Sequence, residues 1–149
     1  MNNIEELIKN SGEKVTEQRR AILQMLLEIG RPMTADEVYD CLLDSIKVGR
    51  TTIYRTLELF ERKKLIRKVI FNDGIIRYES NLLTHHHHLI CIGCGKITPL
   101  DGCFIKPIEG AILGNSGFLI TDHYLELYGY CAECQKRKEL KGKCQERKK

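Results

Sequence analysis

Up to Leu65 the apolar residues recur at three- and four-residue spacing, the period of helices; beyond it they fall into short runs and alternations, the period of strands. Residues 4–10 are expected to form a short first helix. Thr16 can cap a second, along which Ile22, Met25, Leu26 and Ile29 make one apolar face, and Gly30 and Pro32 end it. The run Thr34-Ala35-Asp36-Glu37 is a capping box opening a third helix, with Val38, Tyr39 and Leu42 turned inward. After a loop from Asp44 to Gly49, residues 50–63 form a fourth helix. It buries Ile53, Leu57 and Phe60 and leaves Arg50, Arg55 and Arg62 to solvent. The runs IRKVIF and IIRYES flank Asn72, Asp73 and Gly74 and predict a β-hairpin, because Asp-Gly tolerates positive φ. Helices followed by a hairpin are the layout of a winged helix-turn-helix; the competing reading is a small α+β domain that binds another protein.

The second part is strand-rich. Asn81 to Thr84 reads as a hinge, HHHHLIC and GKITPL as short strands, and residues 103–115 as a helix that Pro107 and Gly110 weaken. Residues 117–130 alternate well enough for one long strand, with Phe118, Ile120, Leu125 and Leu127 in the apolar positions. The expected class is α+β. A winged helix-turn-helix over residues 1–82 is followed by a small α/β dimerisation domain over 83–134 and a basic tail over 135–149. A domain as small as 83–134 has a thin core, so a metal staple and a partner subunit are both expected.

The chain has 149 residues, 42% hydrophobic and 30% charged, as a soluble foldable protein does. No apolar run approaches the roughly 20 residues that span a bilayer, so no membrane partner is expected. The opening MNNIEELIKN lacks the basic and apolar regions of a signal peptide, and the chain reads as cytoplasmic. The net charge is +4, which permits a nucleic-acid partner without requiring one. Residues 135–149 hold eight basic and two acidic side chains, read as a solvated helical end.

Seven cysteines, an odd number, argue against a secreted disulfide framework and for metal-bound thiolates in a reducing compartment. Cys91 with Cys94 and Cys131 with Cys134 make two CxxC pairs, and four thiolates suit a structural Zn²⁺. The competing reading is a pair of redox dithiols. Cys41 is expected to pack on the third helix, Cys103 to be either core or a spare ligand, and Cys144 to be free in the tail. On a strand, His86 and His88 point one way and His85 and His87 the other, so two neighbouring metal sites are natural. Glu79 stands just upstream and His123 on the later segment. Imidazole with carboxylate suits Fe²⁺, Mn²⁺ or Zn²⁺. No enzyme is expected: there is no Ser/His/Asp ordering, no Gly-x-Gly-x-x-Gly and no phosphate loop, and four cysteines leave a zinc no open position.

From TEQRRAIL through TADEVY, TTIYRTL, Tyr78-Glu79, HHHHLIC, CGKI and DHYLELYGYCAEC, the chain resembles the ferric uptake regulator family of bacterial metal-sensing repressors. The resemblance covers about residues 10–135. It implies a homodimer that closes two winged domains over palindromic operator DNA when a regulatory metal binds. It implies that residues 50–63 enter the major groove with Tyr54 and Arg55 reading bases, that Arg50, Thr51 and Thr52 serve phosphates, and that Lys14 and Arg19 approach the backbone or minor groove. It makes the four CxxC cysteines structural zinc ligands and Glu79, His86 and His88 ligands of a sensory site, with Pro32 where the family has a fourth, histidine ligand. His85, His87 and His123 match a second site whose usual glutamate is replaced by Lys106. Asp101 or Glu109 could substitute, or the site is vestigial. Ser80 and Pro99 stand where peroxide sensors carry aspartates, and Ser80 where zinc sensors carry cysteine. The resemblance therefore implies a repressor of the ferrous-iron class controlling iron uptake. The alternatives are zinc, manganese or peroxide response, or a zinc-stapled interaction module that has lost sensing.

Overall fold

The computed structural model describes residues 3–83 and 85–138. Thr84, Cys144 and most of the expected basic tail lie outside the described residues. The chain divides into two compact units, Met1–Thr84 and His85–Lys149.

In the first unit, α1 (Ile4–Asn10) precedes α2 (Glu17–Ile29), α3 (Ala35–Leu42) and α4 (Arg50–Arg62). The Thr16 hydroxyl accepts from the Arg19 amide at 3.2 Å, and Gly30 ends α2 with φ 62°, a left-handed conformation suited to glycine. At the start of α3 the capping box is complete: Thr34 Oγ1 accepts from the Glu37 amide at 3.1 Å, and Glu37 Oε2 accepts from the Thr34 amide at 2.7 Å. These caps orient three helices whose apolar faces meet in one core. Ile22, Leu23, Leu26, Val38, Ile53, Leu57 and Phe60 are fully buried there, joined by Ile8 of α1. Two expectations are corrected. Ile29, the last residue of α2, is 38% exposed, while Leu23 completes the α2 face. Cys41 is exposed rather than packed, because the buried stripe of α3 runs through Ala35, Val38 and Leu42 and Cys41 falls beside it.

The strands β1 (Ile66–Ile70) and β2 (Ile76–Ser80) form the expected antiparallel hairpin, Ile66 facing Ser80 and Ile70 facing Ile76. At its tip Asp73 accepts from the Ile75 amide at 3.0 Å and from Arg77 at 2.7 Å, beside Gly74 at φ 71°. Tyr78 ties the hairpin to the segment before α3 through a reciprocal backbone pair with Met33, at 2.9 and 2.7 Å. Asn81 is anchored here as well. Its side chain donates to the carbonyls of Lys64 and Ile66 at 3.0 and 3.2 Å, and its amide to Leu65 at 3.0 Å.

The second unit holds β3 (His86–Cys91), β4 (Ile97–Asp101), α5 (Lys106–Ser116) and β5 (Glu126–Gly129). The sheet order is β4-β3-β5, with β4 antiparallel and β5 parallel to β3. The long strand expected over 117–130 is corrected: only Glu126–Gly129 is strand. A strand needs a neighbour, and β3 offers one only from His88 opposite Glu126 to Cys91 opposite Gly129. The expected apolar positions are not buried within this chain either. Phe118 is 74% and Leu127 44% exposed, Ile120 and Leu125 are half-buried, and α5 buries no residue. Among the described residues, no helix is long and apolar enough to cross a membrane.

Candidate metal centres

The parallel pairing of β5 with β3 sets the geometry of the cysteines. β3 ends at Cys91 and turns tightly, the Gly95 amide donating to the Cys91 carbonyl at 2.8 Å. The Ile92 amide donates to Gly129 at 2.8 Å and extends the pairing one step, so the chain leaving β5 passes directly beside this turn. Cys131 and Cys134 follow, at the start of a helical segment, 132–138. The sulfurs of Cys91, Cys94, Cys131 and Cys134 then lie within 4.8 Å of one another. The Cys131 amide donates to Cys91 Sγ at 3.2 Å, and this bond is the main reason the Cys91 thiol is held down at about 6. Burial drives Cys134 the other way, up to about 12. Four converging sulfurs, two of them buried, fit a tetrahedral thiophilic cation, whose charge would hold all four as thiolates. Gly93 closes the turn so tightly that an added Cβ would stand 2.9 Å from Cys134 Sγ and 3.2 Å from the Tyr130 ring.

Alternation along β3 sorts the histidines as expected. His86 and His88 share one face, ring centroids 5.0 Å apart; His85 and His87 share the other, 4.7 Å apart. His123 reaches the second pair from the irregular stretch before β5, its Nε2 2.9 Å from His85 Nε2 and its ring 5.2 Å from that of His87. Cys103, in the turn between β4 and α5, places its sulfur 3.2 Å from the same His123 nitrogen. One donor atom from each of His85, His87, Cys103 and His123 falls within 4.8 Å of the others. Burial and the neighbouring His85 and His123 hold the His87 imidazole below its ordinary value. Glu109 pairs with His123 Nδ1 at 2.5 Å, behind the cluster. Asp101 faces His86 across the sheet, on the other side from His85 and His87. Lys106 borders the pocket that holds His85, Cys103 and His123.

In the first unit Glu79 lies on β2, wholly buried, with its Oε1 2.6 Å from both Nε and Nη2 of Arg67 on the facing strand. Ser80 beside it is buried and accepts from the Leu82 amide at 3.1 Å. The solvent side of α4 carries Thr51, Thr52, Tyr54 and Arg55, while Ile53, Thr56, Leu57 and Phe60 face the core. Arg50 is engaged within the chain: it pairs with Asp36 and Asp40 of α3 and its guanidinium lies over the Tyr39 ring at 4.3 Å. Arg19 donates to the Lys14 carbonyl at 2.7 Å and pairs with Glu13 at 3.3 Å, which presents Lys14 outward.

A model of the ferric uptake regulator family matches residues 10–128. The chain belongs to the ferric uptake regulator family. It is therefore a transcription regulator with DNA-binding and metal-binding parts, and not an enzyme. Among its relatives, the ferric uptake regulation protein of Neisseria meningitidis is 36% identical over 136 residues, covering 90% of this chain and 94% of that one. The peroxide-responsive repressor PerR of Staphylococcus aureus is 35% identical over 130 residues, covering 86% of each chain. The crystal structure of the Vibrio cholerae ferric uptake regulator superposes with a TM-score of 0.74 at 30% identity, covering 85% of this chain and 98% of that one. An iron regulator and a peroxide regulator match almost equally well, so overall similarity fixes the family and leaves the signal to the site residues.

Two features of these centres escape sequence reasoning, and a third, Cys103, is left open by it between core and spare ligand. Nothing in the CxxC pattern marks Gly93 as the residue whose missing Cβ admits Cys134. Arg67 carries no motif, although its register opposite Glu79 follows once the hairpin is aligned. Cys103 stands outside any recognisable spacing, and only the crossover through α5 brings it to His123.

Proposed function

We propose that this family member is a metal-dependent repressor that binds palindromic double-stranded DNA as a homodimer and responds to ferrous iron. The observation that carries the DNA reading is α4. One face is locked into the core by Ile53, Leu57 and Phe60, and the other offers Thr51, Thr52, Tyr54 and Arg55 to solvent. Such a ridge suits a major groove: the Tyr54 ring packs on thymine methyls, Arg55 offers a donor fork to guanine, and Thr51, Thr52 and Lys14 reach phosphates. Arg50, engaged by Asp36 and Asp40, and Arg19, engaged by Glu13, serve phosphates after giving up part of those pairings. The homodimer rests on exposed apolar side chains of the second unit, Phe118, Leu119 and Leu127 among them, which a second copy would cover.

Zn²⁺ held by Cys91, Cys94, Cys131 and Cys134 supplies a structural staple. The regulatory ligands are Glu79, His86 and His88, which stand on either side of residues 81–84 in the chain. The response then depends on tighter metal binding in the DNA-competent arrangement, not on affinity alone. Ser80 favours iron over the zinc and peroxide classes, since it is buried, carries no thiolate or carboxylate, and is engaged by Leu82. Pro99 opposite His88 also offers no donor. A second reading, a zinc-stapled interaction module without sensing, is favoured by the Arg67 pair on Glu79 and by Pro32, which cannot ligate.

The test is fluorescence anisotropy with an inverted-repeat duplex selected from a randomised pool, under anaerobic conditions, titrated with Fe²⁺, Mn²⁺ and Zn²⁺. The parent should tighten with Fe²⁺. His88→Ala should keep its caged zinc and its dimer yet lose the response. An unchanged response in His88→Ala would place the sensor elsewhere, and no response in the parent would favour the module.

A further inference from the structure

We propose that Cys103 completes a metal centre with His85, His87 and His123, a three-nitrogen, one-sulfur site for Zn²⁺ or a similarly thiophilic divalent cation. The three histidines are those the family resemblance already groups; what is new is the fourth donor, Cys103, which lies in none of the chain's recognisable motifs and stands in for the glutamate that Lys106 replaces. Three observations converge. First, the Nε2 atoms of His85 and His123 and the Cys103 sulfur crowd together, at 2.9 Å and 3.2 Å from the shared His123 nitrogen. Second, the His87 ring is 2% exposed and its Nε2 has no hydrogen-bond partner. A buried polar atom left unsatisfied is costly, and a cation within this cluster would satisfy it. Third, Glu109 accepts from His123 Nδ1 at 2.5 Å, which leaves the Nε2 lone pair facing the cluster. A carboxylate behind a ligating imidazole is the usual arrangement for fixing its tautomer and orientation. Glu109 is thus a positioning residue rather than a ligand, and Asp101 lies on the opposite face of the sheet.

The donor set decides the metal class. Three imidazoles and one thiolate fill a tetrahedral shell, which Zn²⁺ and Co²⁺ accept. The sulfur disfavours Mn²⁺ and Mg²⁺, which prefer oxygen. The thiolate also supplies the negative charge that Lys106, bordering the same pocket, cannot.

The experiment uses the full chain purified with its caged zinc, titrated with Co²⁺ in the absence of oxygen, with zinc counted before and after. The parent should develop a near-ultraviolet thiolate-to-cobalt charge-transfer band while its zinc stays bound. Cys103→Ala should abolish the band, and Cys103→Ser should not restore it. His87→Ala should weaken the cobalt complex that gives the band. Glu109→Gln should keep the band at roughly tenfold weaker affinity, the range seen when such supporting carboxylates are lost. The sensory set of Glu79, His86 and His88 contains no sulfur, so cobalt there adds no such band. The proposal is overturned if the parent shows no band with its zinc retained, or if Cys103→Ala shows the same one. Anisotropy with the selected duplex, run on the same samples, reports the regulatory reading separately: loss of the band with a preserved Fe²⁺ response removes only Cys103 from the metal's ligands.

Discussion

The two units of this chain are held together by different means. In the first, Ile22, Leu23, Leu26, Val38, Ile53, Leu57 and Phe60 are sealed from solvent in one continuous cluster, and capped helix ends set the directions from which they meet. In the second, Ile90 and Ile97 are the buried aliphatic side chains among the described residues; otherwise the interior is Cys91, Cys134 and three histidines. The first is a hydrocarbon core. The second has donor atoms where a core would be, and polar donors stabilise an interior only when they are satisfied. The unit built on α1 to α4 is therefore expected to be self-sufficient, and the unit with the converging cysteine and histidine donors conditional.

The strongest way to break this contrast is to remove the staple. Cys134→Ser leaves a three-sulfur cage, and zinc sites of this kind supply folding free energy of order 10 kcal/mol in small peptides. Amide spectra should show the second unit losing its dispersed signals while α1 to α4 keep theirs, with zinc content falling in parallel. The complementary change is Phe60→Ala, expected to cost about 3–5 kcal/mol as a buried aromatic truncation. Calorimetry should show the first unit melting earlier while caged zinc is retained. Loss of both units in either variant would mean that they are not energetically separate.

A smaller effect is expected at Gly93. Its added Cβ meets Cys134 Sγ at 2.9 Å, so Gly93→Ala should force the turn apart at a cost of about 1–3 kcal/mol. Zinc release to a chelator should quicken, with the melting of the first unit unchanged. The smallest effect is electrostatic and lies at the hairpin tip. Arg77 holds the Asp73 carboxyl down from 3.8 to about 2. A lowered folded value means that this contribution is complete above pH 3.8 and disappears as pH falls through about 2. Amide exchange at Ile75 should rise across that interval, and in Asp73→Asn it should already be raised at neutral pH and show no such step.

The first unit was legible in the sequence for the same reason that it is stable. Local rules fix it: Thr16 and Thr34 as caps, Gly30 as a stop, Asp73-Gly74 as a turn. Where those rules erred, as at Ile29 and Cys41, the error was one of helical phase near an element's end or edge. The second unit was less legible because its order comes from residues far apart. Alternation correctly sorted His86 and His88 from His85 and His87, a property of the strand alone. It overextended the strand across 117–130, because pairing partners decide strand length and β3 accepts only Glu126–Gly129. Spacing named the four cage cysteines but left Cys103 open between core and spare ligand, because its place depends on where the crossover returns.

The parallel pairing of β3 with β5 also has a consequence in time. Parallel neighbours cannot be joined by a tight turn; here the connection runs through β4 and α5 before β5 settles beside β3. Cys131 stands 40 residues beyond Cys91, near the end of the described chain. Local contacts form quickly and distant pairings slowly, and a chain being synthesised folds its N-terminal part first. The helical unit is thus complete while half of the cage is still unmade. Until β5 docks, Cys91 and Cys94 stand as a pair without Cys131 and Cys134, and only the docking of that last strand brings the four sulfurs together.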